Sequence, residues 1–389
     1  MRLDGIRILD LTRLLPGPYA TQLLADVGAD VIKIEDTETG DYARRMAPTT
    51  DDGVGTIFDA VNRKKRSVAL DLKTDAGRKA FYDLLSEADA VIESFRPGVA
   101  ERLGVDYETV AERRPDVVYC SLTGYGQNGP YADRPSHDLN CVGLSGLLDM
   151  TRRGADESPR MPGYQIADIS GGLLAAFSIC GALLSRELGN GDGEYLDVSM
   201  TDAVVSFSQA LAPDVLRGAN PRPGETPFTG GYPCYGIYEA KAGNYVTLGA
   251  LEPKFFEAFC TAVGRPELID EHMSEDPAIR EALRSELEAI FAERTRKAWV
   301  DLFSDVDTAV AGVYTPAEAF EHPQIEARGY VQRPEGGAPR IGFPVRGSDL
   351  PEGDGGERPG HGEHTEALLE SVGYDDAEID RLRSNGVIR

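Results

Sequence analysis

The sequence predicts an α/β protein, with a mostly parallel sheet in a large first lobe and a smaller α+β lobe behind it. Three observations carry that expectation. Apolar runs of strand length alternate with longer helical periods through the first half of the chain, the pattern that βαβ crossovers produce. At 389 residues the chain exceeds the usual size of one domain, so two lobes are expected. The stretch RGANPRPGETPFTGG has the Pro- and Gly-rich composition of a linker between them.

Taken in order, IRILDL reads as the first strand. Pro16-Gly17-Pro18 stops it and leads into a helix expected from about Tyr19, whose first-turn N–H groups would face an anionic ligand. DVIKIED, SVALDL, AVIESF and DVVYCSLT read as further strands, with the AGRKAFYDLLSEA helix among them. GGLLAAFSICGALLSRELG reads as a helix with Gly189 as its C-cap, and YLDVSMTDAVVSFSQALA as a strand followed by a helix. The lobes follow from these: a large lobe at 1–216, a linker at 217–229, and a small lobe at 230–325. Residues 326–389 form a return path, Pro/Gly/Glu-rich from Arg333 to His364, ending in one helix near Asp375 to Arg383 that packs on the large lobe.

Composition excludes several functions. With 65 acidic and 40 basic residues the formal charge is −25, which disfavours attraction to nucleic acid or to an anionic membrane. So dense a carboxylate surface suits a salt-rich cytoplasm, where screening removes self-repulsion, and activity that peaks in low salt would contradict that reading. No run approaches the roughly 18 apolar residues of a membrane span. Charges interleave the apolar residues of the N-terminus, unlike a secretory signal, and a cytoplasmic location is expected. Cys120, Cys141, Cys180, Cys234 and Cys260 are odd in number, widely spaced and without CxxC pairing, so neither a disulfide framework nor a zinc site is expected.

GYGQNG, from Gly124 to Gly129, matches G-x-G-x-x-G after a strand. A dinucleotide fingerprint must also open a helix, and Pro130 with the turn formers after it argues against one. Gly124 and Tyr125 are read instead as a tight loop shaping a pocket. A hydrolase elbow is missing because position 147 is leucine where G-x-S-x-G needs its last glycine. His272, His322, His361 and His364 have no helix-spaced partners, so no metal site is expected.

The informative blocks remain. MRLDGIRILDLTRLLPGPYATQLLADVGADVIKIE, NRKKRSVALDLK, ESFRPGVAERLG, SLTGYGQNGPYADRPSHDLN and QIADISGG follow one another along nearly the whole chain. Together they resemble the signature segments of the CoA-transferase family III group, which includes formyl-CoA transferase, carnitine CoA-transferase and α-methylacyl-CoA racemase. RPSHDLN, QIADISGG and GALEPKF look most like the racemase branch. The resemblance implies a Rossmann-like large lobe, a small lobe on long linkers, and two chains threaded into an interlocked homodimer. It also implies an acyl-CoA substrate, coenzyme A being part of that substrate, with no prosthetic group.

The same resemblance assigns the reaction site to His137 and Asp138, Asp168, and Glu252, and CoA binding to Phe95 and Arg102. Arg63 and Arg66 are the phosphate partners expected beside them, with Lys64 and Lys65 read as a solvated basic turn. Two positions depart from the family pattern. Asp36 stands where relatives carry Arg, leaving Arg44 or Arg45 as substitutes, and Cys141 stands where relatives often carry Tyr, so the acyl group cannot be carried over.

Inverting a carbon next to a thioester requires an acid/base group on each face. His137 and Asp168 fill those places on the resemblance, with Glu252 accepting a hydrogen bond from the imidazole and backbone N–H groups at the Asp168–Gly172 helix start meeting the enolate oxygen. A CoA-transferase would use Asp168 as a covalent nucleophile instead, forming a mixed anhydride and then an aspartyl-CoA thioester. A silent CoA-binding protein is the third reading.

Overall fold

The computed structural model describes residues 2–154, 156–333, 338–350 and 356–389. Parts of the expected return path, 334–337 and 351–355, lie outside them. The chain divides into two compact units, one comprising Met1–Leu147, Pro162–Ser208 and Gly329–Arg389, the other Leu148–Met161 and Gln209–Arg328.

In the first unit six runs pair into one parallel sheet: β1 (Arg7–Leu11), β2 (Asp30–Glu35), β3 (Arg66–Ala69), β4 (Ala90–Glu93), β5 (Val118–Thr123) and β6 (Glu194–Ser199). Their order is β3-β2-β1-β4-β5-β6, and each pairing is parallel. Apolar side chains fill both faces. One cluster packs Ile8, Val31, Ile92 and Leu122 against helices Pro16–Asp26 and Ile166–Glu187, and the other packs Leu9, Ile32, Val91 and Tyr119 against helix Asp75–Leu85. This strand order reverses between β1 and β4, and open α/β sheets bind ligands at such a switch point, beyond the carboxyl ends of the strands.

The first helix begins at Pro16, three residues before the expected start. That removes the anion site proposed there. Pro16 and Pro18 carry no N–H, and the Tyr19 N–H donates to the Leu15 carbonyl, so within Pro16–Tyr19 only Gly17 retains a donor.

The loop after β1 is fixed from beneath by buried charges. The Lys33 ammonium donates to Thr12 O at 2.9 Å and pairs with Asp41 at 3.0 Å. The Lys65 ammonium reaches Asp10 (3.1 Å), Thr21 (2.7 Å), Asn62 (2.9 Å) and Pro18 O (3.0 Å). Lys65 is therefore no solvated turn residue. It is 3% exposed, and burial pushes its ammonium down to about 8.

Helix Ile166–Glu187 is long and apolar enough to cross a membrane by length and composition, contrary to the expectation that no segment would be. Packing accounts for about half of that apolarity, the window being 50% buried. Small residues let it lie close: a Cβ on Gly172 would stand 2.4 Å from Pro16 O, and one on Gly171 would stand 2.7 Å from Met200. The C-terminal segment forms two helices, Thr365–Ser371 and Asp376–Ser384, where one was expected. Both pack on the β3 side, and Ile388 bridges to Leu70.

The second unit holds an antiparallel sheet of β7 (Tyr235–Ala240), β8 (Asn244–Gly249) and β9 (Val310–Gly312). Helices Pro253–Ala262, Pro277–Ala292 and Arg296–Leu302 cover it around an aromatic core of Phe256, Phe259, Phe291 and Trp299.

Candidate active site

Asp168 lies in the first turn of helix Ile166–Glu187. Burial, reinforced by the neighbouring Asp138 carboxylate, pushes its carboxyl up to about 7. Asp168 forms no ion pair among the described residues. Asp138 opens helix Asp138–Leu144 and reaches across to cap the Asp168 helix: its Oδ1 accepts the Ala167 N–H at 2.6 Å and the Asp168 N–H at 3.1 Å. The HD segment thus holds the backbone that carries the Asp168 carboxyl.

That cap corrects the expectation about the enolate. Ile166 N–H donates to Tyr164 O, Ala167 and Asp168 donate to Asp138, and Ile169 donates to Gln165 O. The start of this helix has no donor left for an oxyanion, because an N-terminal turn has only its few unpaired N–H groups to give.

His137 is exposed and immediately precedes Asp138, with its N–H donating to Asn140 Oδ1 at 3.0 Å. Gly124 ties this segment to the end of β5. Its carbonyl accepts the Thr201 N–H (3.1 Å) and hydroxyl (2.7 Å), and the Cys141 thiol lies 3.4 Å from it. A Cβ at Gly124 would overlap the Ser136 hydroxyl at 1.8 Å, so glycine is required there. Tyr125 packs edge-on against Tyr131. Gly126 and Gly129 adopt positive φ in turns, and the next helix begins only at Asp138. Cys141 is fully buried beneath this segment. Glu252 belongs to the second unit. There it follows β8 and its carbonyl accepts the Phe255 and Phe256 N–H groups at the start of helix Pro253–Ala262, with the side chain exposed.

The residues expected to hold CoA divide. Phe95 follows β4 at the switch point, half-buried, and Arg102 projects from the next helix, Val99–Leu103, with no ion pair among the described residues. Arg66 does not suit phosphate. Its guanidinium forks onto Asp30 at the amino ends of β2 and β3, the opposite edge of the sheet. Arg63, 9% exposed, donates to the carbonyls of Ala60 and Ile341 and borders a cavity of about 980 Å³ with Arg44, Arg340 and Arg358. Arg44 cannot readily replace the arginine that Asp36 displaces, because it is engaged bidentately by Glu35 (2.6 and 2.8 Å) and lies over Phe58.

One residue escaped the sequence reading. Arg13, at the carboxyl end of β1, lies 3.8 Å from Asp36, 5.1 Å from the Tyr42 ring centre and 5.7 Å from that of Phe95. Its position directly after a strand at the switch point was the available signal. Among the described residues no three metal-ligating side chains gather.

Residues 3–365 match the model of CoA-transferase family III. The chain is 34% identical to succinyl-CoA:mesaconate CoA-transferase of Haloarcula marismortui, covering 96% of this chain and 97% of that protein. It is 30% identical to α-methylacyl-CoA racemase of Homo sapiens, over 100% of this chain and 98% of the relative. A crystal structure of a CAIB/BAIF family protein from Brucella suis superposes with a TM-score of 0.81 at 31% identity, covering 95% of this chain and 98% of that one.

Proposed function

The chain belongs to CoA-transferase family III, and on that premise we propose that it epimerises 2-methylacyl-CoA thioesters by moving the α-proton through an enolate. Asp168 carries the reading. A carboxyl poised at about 7 is both a base and an acid at neutral pH, which two-way proton transfer at one carbon requires. Its ionised form takes the α-proton on one face. The imidazolium of His137 returns a proton on the other, leaving the inverted centre and a neutral imidazole. To restore the starting state Asp168 releases its proton to solvent and the imidazole takes one up, for which the exposure of His137 suits it. The thioester oxygen needs donors other than the start of the Asp168 helix, whose N–H groups are taken.

The acyl-CoA nucleotide is assigned to the loops after β1 and β4, with Phe95, Arg102 and Arg13 as contacts. The working assembly is proposed to be a homodimer. Support comes from helix Ile166–Glu187, which leaves Leu173, Phe177 and Leu184 more than half exposed in a row of apolar side chains.

A CoA-transferase is the second reading. Relatives bearing that name match at 32–34% identity, and Asp168 would then attack the thioester. Incubation with (2R)-2-methylacyl-CoA in D₂O, with and without a free acid, decides between them. Deuterium uptake without acid supports epimerisation, and His137→Ala should abolish it. Acid-dependent formation of a new acyl-CoA without uptake would overturn the proposal in favour of transfer.

A further inference from the structure

Away from Asp168, the carboxyl end of the sheet carries a second buried carboxyl that the proposed reaction does not use. Glu93 ends β4 and is 3% exposed. Strand register sets it beside Ser121 of β5, and Ser121 beside Asp197 of β6, so the three side chains share one face in a row. Hydrogen bonds link the Glu93 end of the row. Tyr195 donates its hydroxyl to Ser121 Oγ at 3.3 Å, and the Ser121 hydroxyl bonds the Glu93 carboxylate.

Each end of the row holds a loop of the candidate site. Glu93 Oε2 accepts the Phe95 N–H at 2.6 Å, fixing the turn that presents Phe95 and Arg96. The Asp197 carboxylate accepts the Gln127 N–H at 3.0 and 3.2 Å, fixing the loop of Gly124 and Tyr125. A cavity of about 460 Å³ opens onto the row. Its walls are Glu93 and, from the packed elements, Tyr119 and Ser121 of β5, Tyr195 of β6, Arg96 and Glu101 around helix Val99–Leu103, Asp106, Tyr107 and Glu108 at helix Tyr107–Ala111, and Gln127. The Cys120 thiol, buried on the other face of β5, also feels the Glu93 charge.

We propose that Glu93 is a positioning residue for acyl-CoA binding: it holds the Phe95 N–H in either protonation state, and its ionisation sets a negative charge directly behind the loop that receives the anionic CoA. The proposal rests on the reading that Phe95 contacts the CoA moiety. Its electrostatic basis is local. Asp197 adds its negative charge to the carboxyl, Glu101, Asp106 and Glu108 line the same cavity, and Arg96 is the one cation among the described residues of its wall. Burial, with a further push from Asp197, raises the Glu93 carboxyl to about 7, despite the opposing bonds from Ser121 and Phe95. Ionisation therefore falls within the working range, and it places an added charge in a site that ligand binding would further desolvate.

The test is the dissociation constant of free CoA, measured by calorimetry for wild type and Glu93→Gln between about pH 6 and pH 8.5, a range that spans the Glu93 transition. The ratio of the two constants cancels the titration of CoA itself. Wild type and variant should bind alike at the acid end, and wild type should bind about fivefold more weakly than Glu93→Gln at the alkaline end. The kcat profile, set by Asp168, should coincide in the two proteins. Ser121→Ala keeps the carboxyl but removes a bond that favours its charged form, so the wild-type transition should move to higher pH. Parallel pH curves for wild type and Glu93→Gln would overturn the positioning role. An absence of CoA binding by either protein at any pH would overturn the acyl-CoA reading itself, and the role with it.

Discussion

Replacing Asp168 by Asn should make the protein more stable while abolishing its chemistry, and the gain should depend on pH in a defined way. In the unfolded chain an aspartate ionises near its ordinary value of 3.8, whereas in the fold it does so at about 7. A folded value above the unfolded one means that folding favours the neutral acid. Stability contributed by this group is thus fully present below about pH 4 and is lost progressively as pH rises to about 7. At about 1.4 kcal/mol per unit, the ionised carboxyl costs the fold at most about 4 kcal/mol at pH 8, and side-chain relaxation reduces this to about 2. Asparagine keeps the shape and cannot ionise. Urea denaturation of wild type and Asp168→Asn at pH 5 and pH 8 measures the difference, whose growth across that interval should be roughly 1–3 kcal/mol. An advantage for the variant that is constant with pH, or that shrinks as pH rises, would refute the reasoning that burial and Asp138 raise this carboxyl.

Other outcomes follow from the same structure. Lys65→Met removes the ammonium shared by Asp10, Thr21 and Asn62 and leaves the Asp10 carboxylate fully buried, so urea denaturation should show a loss of about 3–5 kcal/mol. Phe177→Glu places a charge in the middle of the exposed apolar stripe of helix Ile166–Glu187, and light scattering after gel filtration should then report a monomer, against the mass of the proposed dimer for wild type. An unchanged mass would show that this face is not the interface.

Much of the first unit could be read directly from the residues because its signals are local. A parallel strand buried on both faces must be an apolar run, so IRILDL, DVIKIED, SVALDL, AVIESF and DVVYCSLT identify themselves. Helix ends were less secure. Pro16 was read as a stop for the strand, yet a proline fits the first turn of a helix equally well, and only the Tyr19-to-Leu15 bond decides between the two.

The candidate site was legible as residue types in order, and its working arrangement was not. Asp168 and the HD pair stood out in sequence, but nothing there says that Asp138 caps the Asp168 helix, occupies the donors expected to serve an enolate, and helps raise the carboxyl it holds. Basic residues show the same division. Arg63, Lys65, Arg66 and Arg44 are alike as charges in a sequence, and the fold commits Lys65 to Asp10, Arg66 to Asp30 and Arg44 to Glu35 while giving Arg102 no ion pair among the described residues. Periodicity and composition determined the sheet, its crossovers and the acidic surface, because each depends on near neighbours along the chain. Which charges are buried, which donors are already taken and where a carboxyl titrates depend on groups brought together from distant strands, and those the tertiary structure decided.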